Sequence, residues 1–176
     1  MTKTTLTSTH DPRPASPTFA QVQRLIQRRS FCTLSTASPV NRPHSAAVLY
    51  AYAEGVLYVS TARESRKAQN IAANPAVFIV IPVRRAPVGP PSSLQFSATA
   101  EILDRGDTEI HRLAAEGSLK AITGHGELEL DGGCFVRIMP RPTIHTYGIG
   151  MPLIRLIRDP LNAAGIVRHP ELAPGS

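Results

Sequence analysis

The apolar residues of this chain fall mostly in short runs rather than in long helical stripes. Runs that are rich in Val, Ile, Ala and aromatic residues, and bounded by Gly, Pro or polar residues, are typical of β-strands. The pattern predicts six strands, at residues 31–36, 45–52, 56–61, 76–83, 95–103 and 134–139. The run at 76–83 is apolar at every position, which predicts a strand buried on both faces.

The segments between these runs have the composition of turns and helices. Ala53, Glu54 and Gly55 join the second and third runs, which predicts a β-hairpin. Residues 41–44 predict a turn, and the Pro-rich stretch at 84–93 predicts a loop. Helices are predicted at residues 19–29, from about 63 to 73 before Asn74-Pro75, and at 108–121. On the first helix, one face carries Phe19, Val22, Leu25 and Ile26.

The order of these elements predicts a mainly β fold with a few helices. The strands follow one another in hairpins, which favours an antiparallel barrel over a doubly wound sheet. Only 5% of the residues are aromatic and none is Trp, so the core must consist chiefly of Val, Ile, Leu and Ala. These residue types favour strands over a bundle of Leu-rich helices.

A length of 176 residues is enough for one domain with its own core. Residues 1–18 are rich in Thr, Ser and Pro and predict a disordered tail. The barrel domain is expected at 19–141, and 142–176 form a C-terminal extension that contains a short amphipathic helix before Pro160. This extension has three possible roles: packing on the barrel, reaching a partner subunit or touching a membrane. We favour packing.

Charge and cysteine content restrict the classes of partner. The formal net charge of +6 favours anions, but no aromatic residues interleave with the basic ones as a base-stacking surface requires, so nucleic acid is not expected. The absence of a signal-like segment or of a run of about 20 apolar residues predicts a cytoplasmic protein with no membrane partner. Cys32 and Cys134 fit no zinc motif and are expected to be buried free thiols.

The segment from Ser60 to Lys67 contains the most informative residues. Thr61 and Glu64 have the spacing of a capping box, which predicts a helix N-terminus directly after a strand. Free N–H groups and the positive end of the helix dipole favour an anion there. The cations of Arg66 and Lys67 oppose the dipole unless an anion such as a phosphate offsets them. The alternative is a solvated basic face, or pairing of these cations with Glu64.

The stretch LYVSTARESRKAQNIAANPAVFIVI resembles the signature of the pyridoxamine phosphate oxidase-like split-barrel flavoproteins. That signature is a Thr-x-x-x-Ser-Arg-Lys-Ala segment, a helix closed by Asn-Pro and a buried strand. The resemblance extends from residue 28 through Arg42-Pro43-His44 to Gln95 and residue 105, with a weaker likeness at 133–139. It implies a six-stranded antiparallel split β-barrel of the Greek-key type. It also implies a homodimer that binds FMN between its subunits.

The resemblance assigns residues to both parts of this cofactor. Thr61, Ser65, Arg66 and Lys67 would hold the phosphate, with Ser60 beside them. The ring would face the main chain near Ala46 and Ala47, and Gln95 would reach its polar edge. Without the resemblance, Gln95 is equally well explained as a surface residue of a strand.

The chain also departs from members of that family that oxidise pyridoxamine phosphate. Ala46 stands where those proteins have an arginine, and residues after Pro142 contain no counterpart of their Arg- and His-bearing segment. The resemblance therefore implies a flavin-dependent oxidoreductase of another small organic substrate. The alternatives are a deazaflavin-dependent reductase and a non-catalytic flavin- or haem-binding protein.

The remaining chemistry of the sequence is sparse. Haem ligation is not favoured; its candidate ligands would be His44, His125 and His145. No catalytic acid or base and no metal site is indicated. Tyr147 could donate a proton to a substrate carbonyl, but anchoring of the tail by its hydroxyl is the simpler role. If a flavin is bound, hydride transfer belongs to the cofactor, and the protein supplies binding and orientation.

Overall fold

One antiparallel sheet that curls around the core forms most of the molecule. The computed structural model describes residues 17–84 and 89–170. The strands are β1 Phe31–Ala37, β2 Pro43–Leu49, β3 Ala51–Ala53, β4 Val56–Ala62, β5 Ala76–Val83, β6 Ser92–Asp104, β7 Gly133–Pro140, β8 Thr143–Tyr147 and β9 Ala164–Arg168. The helices are α1 Phe19–Gln27, α2 Arg66–Ala73, α3 Thr108–Ala115, α4 Lys120–Thr123 and α5 Leu153–Arg158, and a 3-10 turn spans Pro160–Asn162.

The strand order closes the sheet on itself. The main path runs β2-β1-β5-β6-β7-β4-β3, with every pair antiparallel. Only Tyr50 separates β2 from β3, so one nearly continuous strand pairs with β1 at its start and with β4 at its end. The predicted mainly β, antiparallel split-barrel class is therefore confirmed.

The described residues contain nine strands rather than the six expected, because the second predicted strand is divided at Tyr50 and because β8 and β9, which the long strand β6 accommodates, are added. Strand β6 is 13 residues long, and only Ala98–Asp104 pairs with β7. The earlier residues Ser93–Gln95 pair with β8, which in turn pairs with β9. A single long strand thus serves two sub-sheets, and the segment after Pro142 supplies strands that the sequence pattern did not indicate.

Strand β5 is buried on one face only, so the expectation of burial on both faces is wrong. Val77, Ile79 and Ile81 point into the core, whereas Phe78 is 38% exposed and Val80 is half-buried. Antiparallel sheets commonly cover one face and leave the other open. Phe78 packs into none of the core clusters of the described residues, so apolar content alone could not indicate burial.

Two helices close opposite ends of the curled sheet. Helix α1 begins at the Thr18–Gln21 capping box, inserts Val22 and Ile26 into the core, and its Ile26 carbonyl accepts a hydrogen bond from Tyr50 Oη at 2.8 Å. Helix α2 packs against β1, β2 and β6 near the other end of β1. The two helix predictions are confirmed in type and place.

The hairpin prediction is also confirmed, but the third predicted helix is broken. Glu54 and Gly55 both have positive φ values, 52° and 84°, as a two-residue type I′ turn requires. The predicted helix at 108–121 appears as α3 and α4 because the chain turns at Gly117, whose φ is 77°. These two helices cover a second core cluster that includes Tyr58 and Phe135.

Some predicted features lie partly outside the described residues. Residues 1–16 of the predicted tail, 85–88 of the predicted loop and 171–176 of the extension belong to this group. Cys32 and Cys134 are buried free thiols, as expected. Over the described ranges, no helix is long and apolar enough to span a membrane.

Candidate functional site

Helix α2 has Ser65 as its N-cap, four residues later than the cap at Thr61 that the capping-box spacing predicts. Thr61 still pairs with Cys134 in the β4–β7 ladder, so the strand continues to Ala62. Ser65 has the extended conformation of an N-cap, with φ −64° and ψ 145°, and its Oγ accepts the Ala68 N–H at 3.4 Å. The predicted Thr61–Glu64 capping box is therefore wrong, because ladder pairing holds Thr61 in the strand.

The start of α2 nevertheless collects hydrogen-bonding groups. Thr61 Oγ1 and Ser65 Oγ lie 3.2 Å apart, and Ser60 precedes them in β4 as a half-buried residue. The first-turn N–H groups of an α-helix have no intrahelical acceptor. Those of Arg66 and Lys67 donate to no acceptor among the described residues. Two hydroxyls and two N–H groups thus meet within one turn.

The charges at this helix start are uncompensated within the described chain. The first turn of α2 contains no acidic residue, and Arg66 and Lys67 take part in no ion pair of residues 17–84 and 89–170. Glu64, just before the N-cap, is exposed. Cations at this position oppose the helix dipole. A bound anion would relieve that repulsion, and the donors present are the types that a phosphate accepts from.

A cleft of about 530 Å³ adjoins this helix start and extends its positive character. Arg66 lines it together with Arg42 and His44, which lie just before and within β2. None of the described residues that line it is acidic; the others are Ser38, Pro39, Val40, Pro43, Gln69 and Asn70. The sequence pattern indicates only a turn at Arg42 and no role in the site, although Arg42 stands beside the Pro43-His44 pair that marks the resemblance.

A buried relay of hydrogen bonds holds α2 in place beside the cleft. Asn70 Nδ2 donates to Thr36 Oγ1 at 2.9 Å, and Thr36 Oγ1 donates to the His44 carbonyl at 3.3 Å. Asn70 is 5% exposed and Thr36 is 4% exposed. The relay connects α2, β1 and β2, so the position of Arg66 relative to Arg42 is determined by the core of the fold.

Ala46, Ala47 and Gln95 do not join the residues at the start of α2. Ala46 packs against the core, whereas Ala47 is exposed on the outer face of β2. Ala47 pairs with Thr33, Thr33 with Val80, and Val80 with Gln95. Ala47 and Gln95 therefore share one row across four strands, roughly 14 Å apart. Gln95 Nε2 donates to Ser93 Oγ at 2.9 Å.

This row lies on the outer face of the sheet. The central part of that face carries no charged side chain among the described residues. Its members on β1, β2, β5 and β6 are Phe31, Thr33, Ser35, Ser45, Ala47, Leu49, Phe78, Val80, Ser93, Gln95 and Ser97. Phe31 is 44% exposed and Leu49 is 55% exposed. We call these residues the uncharged face. Its apolar and hydroxyl groups are suited to a flat ring or to another protein surface.

The three histidines considered as haem ligands lie far apart in the sequence and in different elements of the fold. His44 lines the cleft beside Arg66. His145 lies on β8 and pairs with Gln95 of β6, and His125 is an exposed loop residue near Glu127. Tyr147 is half-buried and pairs with Ser93. Within the part of the chain that is described, no three His, Cys, Asp or Glu side chains come together as a metal site would need.

Comparison with known proteins identifies related sequences and folds. A family model described as pyridoxamine 5'-phosphate oxidase matches residues 19–125. No curated protein matches the chain in sequence.

Solved structures with a similar fold include two haem proteins. HutZ, the haem storage protein from Vibrio cholerae, has a TM-score of 0.62 at 18% identity over 73% of this chain and 94% of that one. A haem binding protein from Mycobacterium smegmatis has the same score and identity over 76% of this chain and 55% of that one. General Stress Protein 26 from Bacillus anthracis has a TM-score of 0.52 at 24% identity, over 71% of this chain and 89% of that one. At these identities the likeness shows the fold alone.

Proposed function

The chain belongs to the pyridoxamine 5'-phosphate oxidase family, and from this membership we propose that it is a flavin-dependent oxidoreductase of a small organic substrate. One observation carries the proposal. The hydroxyls of Thr61 and Ser65 meet at the start of α2 beside two free N–H groups, and its first turn carries Arg66 and Lys67 and no acidic residue. That donor set fits the terminal phosphate of FMN.

In this proposal each group at the start of α2 has a defined task. Ser65 caps the helix and, with Thr61, offers hydroxyl protons to phosphate oxygens. Arg66 supplies a planar pair of donors, and Lys67 supplies a compact charge. Ser60 lies beside them on β4. The buried Asn70–Thr36 bond keeps these donors oriented before any ligand arrives.

The uncharged face is the proposed place for the ring. Gln95 offers an amide for its polar edge, and the main chain of β2 at Ala46 and Ala47 borders it. When bound, FMN supplies the hydride transfer. The chain's own residues then bind and orient, and no acid or base is assigned to the reaction. Oxidation of pyridoxamine phosphate itself is not proposed, because Ala46 stands in place of an arginine and packs on the core.

We further propose that the ring site lies between two copies of the chain. The uncharged face exposes Phe31, Leu49 and Phe78, and exposed apolar patches of this kind mark interfaces. Two subunits that meet on this face would cover these side chains and exclude water from the ring. The proposed assembly is therefore a homodimer.

A deazaflavin is the second candidate cofactor, and the basic cleft favours it. Arg42 extends the positive surface beyond the first turn of α2, with His44 beside it, as a phosphodiester tail longer than that of FMN would require. The reaction class, reduction or oxidation of a small organic molecule, is the same for either cofactor.

Absorption spectroscopy of the freshly purified protein tests the proposal. We expect a flavin spectrum, or saturable binding of added FMN, with the released compound identified by mass spectrometry. Binding of a deazaflavin in preference to FMN would select the second candidate. A Soret band with no affinity for either flavin would refute the oxidoreductase proposal and favour haem binding, the role named for HutZ.

A further inference from the structure

A second basic cleft lies at the opposite end of the barrel from α2. It has a volume of about 370 Å³ and is bordered by helix α1, the end of β5 and the segment after β8. Four arginines line it: Arg24, Arg28, Arg29 and Arg84. We call it the arginine cleft. Its volume is within the range of small-molecule sites.

The charges of the arginine cleft are not neutralised by the described protein. None of its described lining residues is acidic, and its four arginines take part in no ion pair of the described chain. Arg29 Nη2 donates to the Arg84 carbonyl at 3.2 Å, but Arg29 Nε is buried and has no hydrogen-bond acceptor among the described residues. A buried donor without an acceptor in a protein calls for a ligand, an ion or water.

The floor of the cleft is apolar. Pro17, Leu25, Val83 and Ile149 line it beside the arginines, and Leu25 and Ile149 also pack against the core. A bare inorganic ion would leave this apolar surface unused. An organic molecule would cover it while placing its anionic group among the guanidinium ions.

We infer that the arginine cleft binds a small organic phosphate, separately from the proposed cofactor site. A phosphate monoester carries about two negative charges at neutral pH, so it satisfies several guanidinium groups better than one carboxylate does. Arginine also binds phosphate through paired, parallel hydrogen bonds. Val83 and Arg84 lie at the end of β5, whereas α2 packs near the other end of the barrel, so the two sites are spatially distinct.

The test uses phenyl phosphate as the probe and amide chemical shifts of the full-length protein as the readout. We expect saturable shifts at Leu25, Val83 and Gly150, and weaker binding of inorganic phosphate. The variant Arg24→Gln/Arg28→Gln removes two exposed guanidinium groups and should weaken phenyl phosphate binding by roughly tenfold or more. The control Lys120→Gln/Arg158→Gln removes the same charge elsewhere and should leave the affinity within about twofold.

The outcomes separate this inference from the proposed cofactor site. In the Arg66→Ala/Lys67→Ala variant, phenyl phosphate should still shift Leu25 and Val83, whatever happens to FMN. Absence of saturable shifts at these residues would overturn the inference, as would unchanged affinity in the Arg24→Gln/Arg28→Gln variant. Equal affinity for inorganic phosphate and phenyl phosphate would show that the cleft binds an adventitious ion only, and this result would also overturn the inference.

Discussion

At the scale of single residues, Ser65 links the fold to the proposed function. Its Oγ caps α2 by accepting the Ala68 N–H and lies 3.2 Å from Thr61 Oγ1. Aspartate caps helices about as well as serine, whereas alanine does not. Capping and phosphate binding therefore respond differently to the two substitutions, and this difference can be measured.

Ser65→Asp should keep the stability of the fold but abolish tight FMN binding, because its carboxylate would repel the phosphate. Ser65→Ala should lower the free energy of unfolding by about 1 kcal/mol and weaken FMN binding only modestly. Urea unfolding and flavin fluorescence titration measure the two quantities. Equal FMN affinity in both variants would argue against a phosphate at this helix start.

Cys32 gives a second prediction at the residue scale. Burial raises the pKa of its thiol from 9.0 to about 12. The folded state then holds the proton more tightly than the unfolded state, so this contribution to stability is complete below pH 9 and is lost as the pH rises towards 12. In that window, stability should fall by up to roughly 1.4 kcal/mol per pH unit more steeply for the natural chain than for Cys32→Ala. Urea titrations at pH 8, 9.5 and 10.5 check this, and parallel pH profiles would contradict it.

At the scale of elements, the type of each helix or strand and its approximate position were more predictable than its exact boundaries or the burial of its faces. Alternation and turn residues indicated the hairpin at Glu54-Gly55 and the helix that ends at Asn74. That β5 is buried on one face only was not predictable from its own apolar residues, because burial of its outer face depends on what packs there. The start of α2 depends on pairing of Thr61 with β7, a partner more than 70 residues away. Strands β8 and β9 were missed because their alternation is short and follows Pro142.

The attachment of α2 to the sheet can be tested by a double-mutant cycle on Asn70 and Thr36. Thr36→Val leaves Asn70 Nδ2 without its acceptor, and Asn70→Ala removes the donor to Thr36 Oγ1, which then keeps only its bond to the His44 carbonyl. Each single change should therefore cost about 1–3 kcal/mol, and the double variant less than their sum. Urea unfolding measures all four proteins. Strict additivity would show that this bond does not hold the helix in place.

At the scale of the whole molecule, the uncharged face and the two basic clefts divide the surface by chemistry. The clefts collect arginines at opposite ends of the barrel, and the uncharged face between them carries apolar and hydroxyl groups. Net charge and composition indicated attraction to anions but not where the cations converge. Only the fold brings Arg42 to Arg66, or Arg24 to Arg84.

The proposed homodimer is tested by a charge placed in the uncharged face. Val80→Glu should dissociate the dimer, because burying an unpaired carboxylate costs several kcal/mol. The control Ile157→Glu changes an exposed apolar residue outside this face. Light scattering should give twice the chain mass of 19.0 kDa for the natural protein and the control, and the single mass for Val80→Glu. A single chain mass for the natural protein would contradict the proposed homodimer.

The affinity for FMN of the Arg66→Ala/Lys67→Ala variant tests the central claim most directly. Its control, Lys120→Ala/Arg158→Ala, removes the same charge from exposed positions away from α2. We expect the first variant to lose about 3 kcal/mol or more of binding free energy, roughly a hundredfold in affinity, and the control to resemble the natural protein. An affinity within about threefold of the natural protein in the first variant would contradict the claim that the start of α2 holds the phosphate.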